Sequence, residues 1–439
     1  MKKYIIYTIA ILAFSSCVKL DIDPTQSIQA DNAITNQADL DQALNGCYDA
    51  IQLSGAYGRN CILAPELSSD NSNATGTIIE YSNINENAML SSNSIAENIW
   101  SHLYIAINRV NNALYYMPQI EDLSDTDRNN YKGQLFFIRS LAYFNLVRLY
   151  GDVPLKTSPS LNTTDINAPR TPKADIFNFI IADLTFASEN ITTTLSGKAS
   201  KGSAIALLAK VYLLNSDWEK ALLYATNAID NFSYELVSDF ASLYNLEDNS
   251  ESIFEVKYDP QDKNRLAEYS LPTSLGGRYE VSPSNSLINA YSEDDIRKTS
   301  SFSGFDENPY CTKYSHIAQG DDRVYVLRLA EMYLLRAEAN IRQTKPFEII
   351  NSDINIIRQR AQLNALNLTD YNELLTEVIN QRQLEFAFEG HRWFDLLRND
   401  LAIQMVATVD NSNQLLFPIP LSEIVTNDEI GSENQNPGY

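Results

Sequence analysis

Apolar side chains recur every three or four residues along much of the chain, and no other feature of the sequence constrains its fold as strongly. One such run predicts a helix over residues 96–118, and the capping-box pair Ser94 and Glu97 marks its start. A second run, over residues 135–150, is apolar around most of its circumference, which is typical of a helix packed on several sides. A third helix is predicted over residues 173–189. The chain is therefore predicted to be mainly α-helical.

The clearest repeat-like unit lies between residues 204 and 229. Small alanines alternate with large aromatics in two predicted helices, which a polar turn at Asp217 joins. Because the small residues allow two antiparallel helices to approach and the aromatics fill the gap, the unit resembles a tetratricopeptide repeat. A similar first helix is predicted over residues 324–342, and a helix that begins at Pro346 follows it to about Arg360. Such pairs bury their faces only against neighbours, so we predict a stacked helical scaffold.

Two long stretches lack this periodicity. Residues 54–93 are rich in Ser, Asn and Thr, and residues 233–321 are rich in Tyr, Ser, Gly, Asp and Pro. Loops of this length in a compact protein are usually functional. We predict that both are irregular insertions on one side of the scaffold, between N-terminal repeats over residues 36–232 and C-terminal repeats with a tail over residues 322–439. In that tail, alternating prolines at 417–420 predict an extended segment that covers a hydrophobic end of the stack.

The N-terminus has the pattern of a bacterial export signal. Two lysines, an apolar run too short to span a membrane and two serines precede Cys17. Residues Leu12 to Cys17 resemble a lipoprotein box, in which the cysteine is acylated and the preceding peptide is removed. Phe14 departs from the Leu or Val that is usual at its position. We predict a signal peptide at 1–16, lipidation at Cys17 and a lipid-anchored tether at 17–35. Ordinary secretion with an unmodified cysteine is the alternative.

The charge of the chain disfavours some ligands, and its cysteine content argues against a disulfide framework and a zinc site. Acidic residues outnumber basic ones by 56 to 33, a formal charge of −23 that becomes −25 without the signal peptide, and this disfavours nucleic-acid binding. An acidic polysaccharide is disfavoured for the same reason, unless arginines act locally: Arg59, Arg265 or Arg278. Three cysteines besides Cys17 form neither a disulfide framework nor a zinc motif. A Cys47–Cys61 disulfide stays open, and buried or incidental thiols are the favoured interpretation.

Several motifs occur in one order along the whole chain, and together they carry a family resemblance. They are Cys17 after its export signal, Leu20 to Pro24, Glu97-Asn98-Ile99-Trp100, Arg139 to Phe144, Tyr150 to Pro154, Arg382 to Leu396, Phe417-Pro418-Ile419-Pro420 and Asn436-Pro437-Gly438-Tyr439. With them the chain resembles the SusD/RagB glycan-binding outer-membrane lipoproteins. The resemblance implies four tetratricopeptide-like helix pairs, with irregular segments that bind glycan away from a membrane-side partner.

The same resemblance implies a function. The partner would be similar to SusC, a TonB-dependent outer-membrane transporter, to which the lipid-anchored and surface-exposed binding protein delivers oligosaccharide for import. No bond chemistry, cofactor or metal ion is expected. Starch, fructan, host N-glycan and mucin sugars all suit an acidic, tyrosine-rich surface, and a peptide cargo also stays open.

A neutral glycan site needs exposed aromatic rings, which stack on sugar C–H faces, beside polar groups that bond to hydroxyls. Tyrosine outnumbers tryptophan by 25 to 3, so we expect tyrosine to supply the stacking. The candidates in the two insertions are Tyr57, Arg59, Asp70, Asn71, Asn73 and Tyr81, and then Arg278, Tyr279, Tyr291, Phe302, Phe305, Asp306, Asn308, Tyr310 and Tyr314. Trp100 joins them because it lies beside the first insertion, although its helical spacing favours packing. Local packing is the alternative for each candidate.

Two other functions stay open. One is a tetratricopeptide scaffold that binds only proteins, and the other is a lipid-anchored glycoside hydrolase, which needs two carboxylates in an open cleft. Two pairs at four-residue spacing would suit acid–base or metal chemistry on one helical face: Glu385 with Glu389, and His391 with Asp395. Structural ion pairs are the favoured interpretation, because three arginines lie close in sequence: Arg382, Arg392 and Arg398.

Overall fold

The computed structural model describes residues 34–161, 166–246, 249–305 and 307–439. The predicted signal peptide, Cys17, nearly all of the predicted tether and Asp306 lie outside these ranges. The helices of the described part are α1 (Gln37–Gln52), α2 (Asn60–Ser68), α3 (Ile79–Asn85), α4 (Ser94–Tyr116), α5 (Asp125–Tyr150), α6 (Lys173–Asn190), α7 (Lys201–Leu214), α8 (Trp218–Asp230), α9 (Leu266–Ser270), α10 (Asn285–Ala290), α11 (Ile296–Ser301), α12 (Leu329–Arg342), α13 (Phe347–Arg360), α14 (Tyr371–Glu385), α15 (Arg392–Arg398), α16 (Ala402–Met405) and α17 (Leu421–Thr426).

Eight of these helices stack as four successive pairs: α1 with α4, α5 with α6, α7 with α8, and α12 with α13. Consecutive pairs pack through α4 on α5, α6 on α7, and α8 on α12. The prediction of a mainly helical scaffold is confirmed. The helix predicted over 135–150 forms the second part of α5, whose earlier turns are polar and partly exposed and therefore carry no apolar signal.

Short antiparallel strand pairs decorate the helices. The strands are β1 (Ser72–Ala74), β2 (Val153–Pro154), β3 (Arg170–Thr171), β4 (Ser252–Val256), β5 (Val281–Pro283), β6 (Phe302–Ser303), β7 (Tyr310–Cys311) and β8 (Val324–Arg328). They pair as β1 with β5, β2 with β3, β4 with β8, and β6 with β7. The helix predicted over 324–342 is wrong for its first five residues, which form β8. These five residues are buried, and most are β-branched or bulky, which favours a strand. They pair with β4 through antiparallel backbone hydrogen bonds.

The first predicted insertion is largely regular, where the sequence predicted an irregular segment. All nine residues of α2 are buried, and α2 packs between α4 and α15. The burial raises the pKa of Glu66 to about 7, although Asn71 and the Gly390 N–H donate hydrogen bonds to its carboxylate. This helix therefore belongs to the core, and the parts of the insertion that follow it reach the surface.

The segment predicted as one helix around Glu385 and Glu389 is broken between α14 and α15. Phe388 and Gly390 have φ values of +63° and +75°, which end the helical path. A Cβ atom on Gly390 would lie 3.0 Å from the carbonyl oxygen of Cys61 in α2, so glycine permits this close approach. The prediction that Glu385 and Glu389 share a helical face is therefore wrong.

A buried ionic network joins the second insertion to the last helices. Its four carboxylates and four cations are Glu251, Asp295, Glu385 and Glu389 with Arg297, Lys313, Arg328 and Arg360. Burial alone would raise the pKa of Glu385, but Arg360, Arg328 and Arg297 outweigh it and hold that pKa well below its usual range. The sequence predicted that the nearby arginines pair with the carboxylates of this segment. Asp395 is paired in this way, with Arg382 at 2.8 Å and Arg398 at 2.9 Å.

The C-terminal tail packs against the last turn of α5, which belongs to the second pair, so its predicted place over a hydrophobic end of the stack stays a prediction. Phe417 and Ile419 are fully buried, and the Phe417 N–H donates to the carbonyl of Leu149 at 2.8 Å. The Phe417 ring meets Tyr150 edge-on with their centroids 6.0 Å apart.

The described part of the chain contains neither a disulfide nor a membrane-spanning helix. Cys47, Cys61 and Cys311 are buried free thiols, in agreement with the favoured interpretation. Burial raises the pKa of each to about 12, so all three are protonated at neutral pH. Among the helices in the described ranges, none is both long enough and apolar enough to cross a bilayer.

Replacing Glu385 by glutamine should lower the free energy of unfolding by about 3–5 kcal/mol, because three buried arginines would lose the carboxylate that they share. Chemical denaturation measures this change. Glu293→Gln is the matched control, since Glu293 is exposed and pairs only with Lys298. Its midpoint should equal that of the wild type, and a Glu385→Gln midpoint that also stayed unchanged would contradict the structural role of the network.

Candidate functional site

The two predicted insertions meet at one surface, and strands β1 and β5 join them. Ser72 pairs with Pro283 and Ala74 with Val281, in antiparallel register. Beyond the ladder, the Thr75 N–H donates to the carbonyl of Glu280 at 3.0 Å. Residues far apart in sequence are thereby held side by side on the surface of the helical scaffold.

Tyr279 lies at this junction with a half-buried ring and an unusual backbone. Its φ of +55° is in the left-handed region, which a bulky residue adopts only when its surroundings hold it there. Its N–H donates to the carbonyl of Leu271 at 3.0 Å, and its own carbonyl accepts from the Thr75 hydroxyl at 2.7 Å. The phenol donates to the carbonyl of Pro309 at 3.0 Å. The ring is therefore fixed at both ends.

The hairpin that follows β6 brings further candidate residues beside Tyr279. Gly304, with φ of +72°, turns the chain, and a Cβ atom there would lie 2.9 Å from the Tyr310 ring. The hairpin exposes Phe305 and Asn308 and leaves Tyr310 half-buried, on both sides of the Pro309 carbonyl that Tyr279 contacts. We call this surface the insertion face and define it as Thr75, Tyr279, Phe305, Asn308 and Tyr310.

Three arginines from separate segments converge next to this face. Their guanidinium carbons lie over the buried ring of Tyr269, at 4.2 Å for Arg59, 5.3 Å for Arg265 and 4.9 Å for Arg278. Glu268 bonds to Arg265, a hydrogen bond that lowers the pKa of Glu268, and Glu280 pairs with Arg278 at 3.0 Å. We call this cluster the arginine patch: Arg59, Arg265, Arg278 and Tyr269 with their two glutamates.

The arginine patch carries a local excess of positive charge. Three guanidinium groups face two carboxylates in a protein whose formal charge is −23. Arg265 and Arg278 are exposed, and each donates through Nε and Nη2 to its glutamate, so that its Nη1 is a donor that the glutamate does not use. Such donors suit sugar hydroxyls and acidic groups alike.

Of the residues predicted as candidates, the structure gathers six at the insertion face and arginine patch: Arg59, Arg278, Tyr279, Phe305, Asn308 and Tyr310. Asn73 is exposed on β1, two residues before Thr75. Asp306 and the predicted lipidation site Cys17 lie outside the described residues. The sequence prediction missed Thr75 and Tyr269. The four-residue spacing between Arg265, directly before α9, and Tyr269 within it was a usable signal, whereas the contact of Thr75 with Tyr279 depends on long-range pairing.

Other candidates are buried and pack inside the protein, which was the alternative for each of them. They are Tyr57, Asn71, Tyr81, Trp100, Tyr291, Phe302 and Tyr314, together with the half-buried Asp70, whose side chain is only 8% exposed. Tyrosine hydroxyls among them bond to interior partners, as Tyr291 does to the carbonyl of Leu384 and Tyr314 to that of Phe388. Asp70 forms a salt bridge with Arg392 at 2.7 Å. Trp100 meets Tyr150 edge-on at 5.1 Å, and only 4% of its surface is exposed.

The groups that suggested acid–base chemistry are arranged differently. Glu385 and Glu389 are buried and paired with cations, and no open cleft separates them. Within the described ranges, no three His, Cys, Asp or Glu side chains come together as metal ligands would. The insertion face offers rings and an amide, and the arginine patch beside it offers guanidinium groups, all of which can bind a ligand.

Comparison with known proteins places the chain in a family. A family profile described as "Starch-binding associating with outer membrane" matches residues 20–213, and one described as the SusD family matches residues 306–407. SusD-like protein P2 of Formosa agariphila is 26% identical, over 100% of both chains. The chain belongs to the SusD/RagB family.

Solved SusD structures share its fold. A SusD superfamily protein of Bacteroides vulgatus is 24% identical and superposes with a TM-score of 0.83, over 92% of this chain and 99% of that one. A protein described as a laminarin-binding SusD-like protein is 22% identical, with a TM-score of 0.82 over 92% of this chain and 100% of that one. The mainly helical, SusD-like fold that the resemblance implied is therefore confirmed.

Gly304→Ala should loosen the hairpin of the insertion face, because a Cβ atom would lie 2.4 Å from the carbonyl oxygen of Asn308 and the backbone φ is positive. Hydrogen exchange over residues 302–311 should become at least tenfold faster. The matched control is Gly46→Ala within α1, where nothing lies within 4 Å of the new methyl group. That change should leave exchange in the hairpin unaltered, and equal exchange in both variants would contradict the tight packing described here.

Proposed function

We propose that this SusD/RagB member captures oligosaccharides on its insertion face and delivers them to a SusC-like TonB-dependent transporter. The observation that carries the proposal is the half-buried ring of Tyr279, which hydrogen bonds hold at its backbone and at its phenol. A ring that is already fixed loses little conformational entropy when a ligand stacks on it. A flexible exposed ring would lose more.

The groups around Tyr279 match the surface of a sugar. A pyranose presents C–H groups on its faces and hydroxyls at its edge, so it needs an aromatic surface bordered by hydrogen-bonding groups. Phe305 is 43% exposed and Tyr310 is half-buried, which extends the aromatic surface along the hairpin. Asn308 donates and accepts hydrogen bonds, and Arg278 adds donors from the other side. A chain of several sugar units would use these groups in succession.

The family relationship supports the wider role. One matching profile carries the description of starch binding associated with the outer membrane, and one structural neighbour is described as laminarin-binding. The lipoprotein box at Cys17 would anchor the protein to the outer membrane at the cell surface. A lipid tether would keep the binding face close to a transporter in the same membrane, so captured sugar would reach the transporter at a high local concentration.

We further propose that the protein changes no bond in its ligand. None of the five residues that define the insertion face is a carboxylate, although Glu307 is exposed on the same hairpin, and the two glutamates of the arginine patch are paired with arginines. Hydrolysis of a glycosidic bond needs two carboxyl groups on opposite sides of that bond, one of which holds a proton. A low pKa keeps Glu268 ionised, which is unsuitable for a proton donor.

Tyr279→Ala should weaken binding of laminarihexaose or maltohexaose at least tenfold, about 1.4 kcal/mol, because the stacking surface is lost. Isothermal titration calorimetry measures the affinity, and chromatography of the incubated sugar should show no product. Tyr115→Ala is the matched control, since this ring is 47% exposed on α4 and away from the insertion face.

The control variant should bind as the wild type does. If Tyr279→Ala and Tyr115→Ala bound the sugar with equal affinity, the insertion face would not be the binding site. Absence of binding across a broad glycan array would remove carbohydrate as the ligand, and in that case the scaffold that binds only proteins would be favoured. Release of shorter sugars would instead support the hydrolase.

A further inference from the structure

A cavity of about 680 Å³ opens on another part of the molecule, where the chain leaves α6 and enters α7. Its lining includes residues 191–198, which we call the first wall, residues 232–234, which we call the opposite wall, and part of β4, which we call the floor. These lining residues differ from those of the insertion face. The volume lies within the range of small-molecule sites in proteins.

Two aromatic rings are stacked at the wall of this cavity. Phe232 and Tyr234 are both half-buried, with ring centroids 5.7 Å apart and planes inclined by 23°. A Cβ atom on Gly202 would lie 2.2 Å from the phenol oxygen of Tyr234, so glycine at this position makes room for the phenol. Packing at Gly202 therefore fixes the Tyr234 ring, and Phe232 lies against it.

The first wall is rich in hydroxyl groups and is also fixed. The N–H groups of Thr192 and Thr193 donate to the side-chain oxygen of Asn130 at 2.8 and 3.2 Å. Gly197, with φ of +77°, turns the chain back toward α7. Thr194 and Ser196 complete a row of hydroxyl-bearing residues on this wall.

A buried carboxylate orients two of the hydroxyls in the cavity. Ser196 and Ser252 donate to Glu255 at 3.0 and 3.2 Å. Each hydroxyl has a single proton, so its oxygen is left to accept a hydrogen bond from a ligand. Arg323 pairs with Glu255 at 2.6 Å, so the charge at the floor is compensated. The cavity therefore presents rings, hydroxyls and two lysines, Lys198 and Lys201, of which Lys198 donates to the side-chain oxygen of Asn45 at 2.7 Å.

We propose that this cavity is a second carbohydrate site, which binds a neutral sugar unit stacked on Phe232 and Tyr234 and bonded to the Ser and Thr hydroxyls. The buried carboxylate of Glu255 is already paired with Arg323, and a purely apolar ligand would leave the hydroxyls of Ser196 and Ser252 without new partners. A hydroxylated ring satisfies both surfaces. Two sites on one chain would hold a long glycan at two points and so raise its overall affinity.

The test is isothermal titration of the full-length protein with laminarihexaose and, separately, with maltohexaose. We expect two sites per chain for the wild type. The double variant Phe232→Ala/Tyr234→Ala should lose one of them, or bind there at least tenfold more weakly, because both stacking surfaces are removed.

A second variant guards against misfolding. Ser233 is exposed at the cavity, so Ser233→Trp adds an indole that fills the cavity without disturbing the core. It should lose the same site as the double variant. Leu223→Trp, at a position 61% exposed on α8, is the matched control and should retain both sites.

The two proposals fail separately in this experiment. Loss of all binding in Tyr279→Ala, with no change in Phe232→Ala/Tyr234→Ala or Ser233→Trp, would overturn the second site and leave the insertion face standing. Loss only in the cavity variants would support the second site and overturn the insertion face. A wild type that bound neither probe, or that bound one sugar per chain at the insertion face, would also overturn the second site.

Discussion

Glu385 is fully buried, yet three arginines bond to its carboxylate, and the rest of the structure depends on this arrangement. Burying one charge without partners would cost several kcal/mol, whereas four carboxylates and four cations compensate one another here. The network includes Glu251, Asp295, Arg297, Lys313 and Arg328 from the second insertion and the strand that follows it. The helical stack and the segments that carry the binding face are thereby joined into one rigid body at a buried point.

This arrangement supports the proposed role of the insertion face. β8 ends at Arg328, inside the network, and pairs with β4, while α2 enters the core beside Gly390. With both insertions anchored in this way, β1 and β5 can pair, and Tyr279 is held with its ring at the surface. The protein thus presents a preformed aromatic surface, and it needs no large rearrangement before a sugar binds.

Part of this structure was predictable from local patterns. Apolar periodicity located α4 within two residues, and the start signal Thr171-Pro172 located α6 equally well. The candidate site was harder, since Tyr81 and Tyr279 occupy similar polar stretches in the sequence. Tyr81 is enclosed in the core and bonds to Asn60, whereas Tyr279 is held at the surface. Long-range strand pairing makes that difference, and composition does not encode it.

The most direct test of the account is a crystal structure of the protein with laminarihexaose or maltohexaose bound. We expect a sugar ring stacked on Tyr279, with its carbon atoms within about 4 Å of the phenol ring and its hydroxyls bonded to Asn308 or Arg278. An insertion face left empty while the sugar occupies some other surface, or a Tyr279 ring turned inward in the complex, would contradict it.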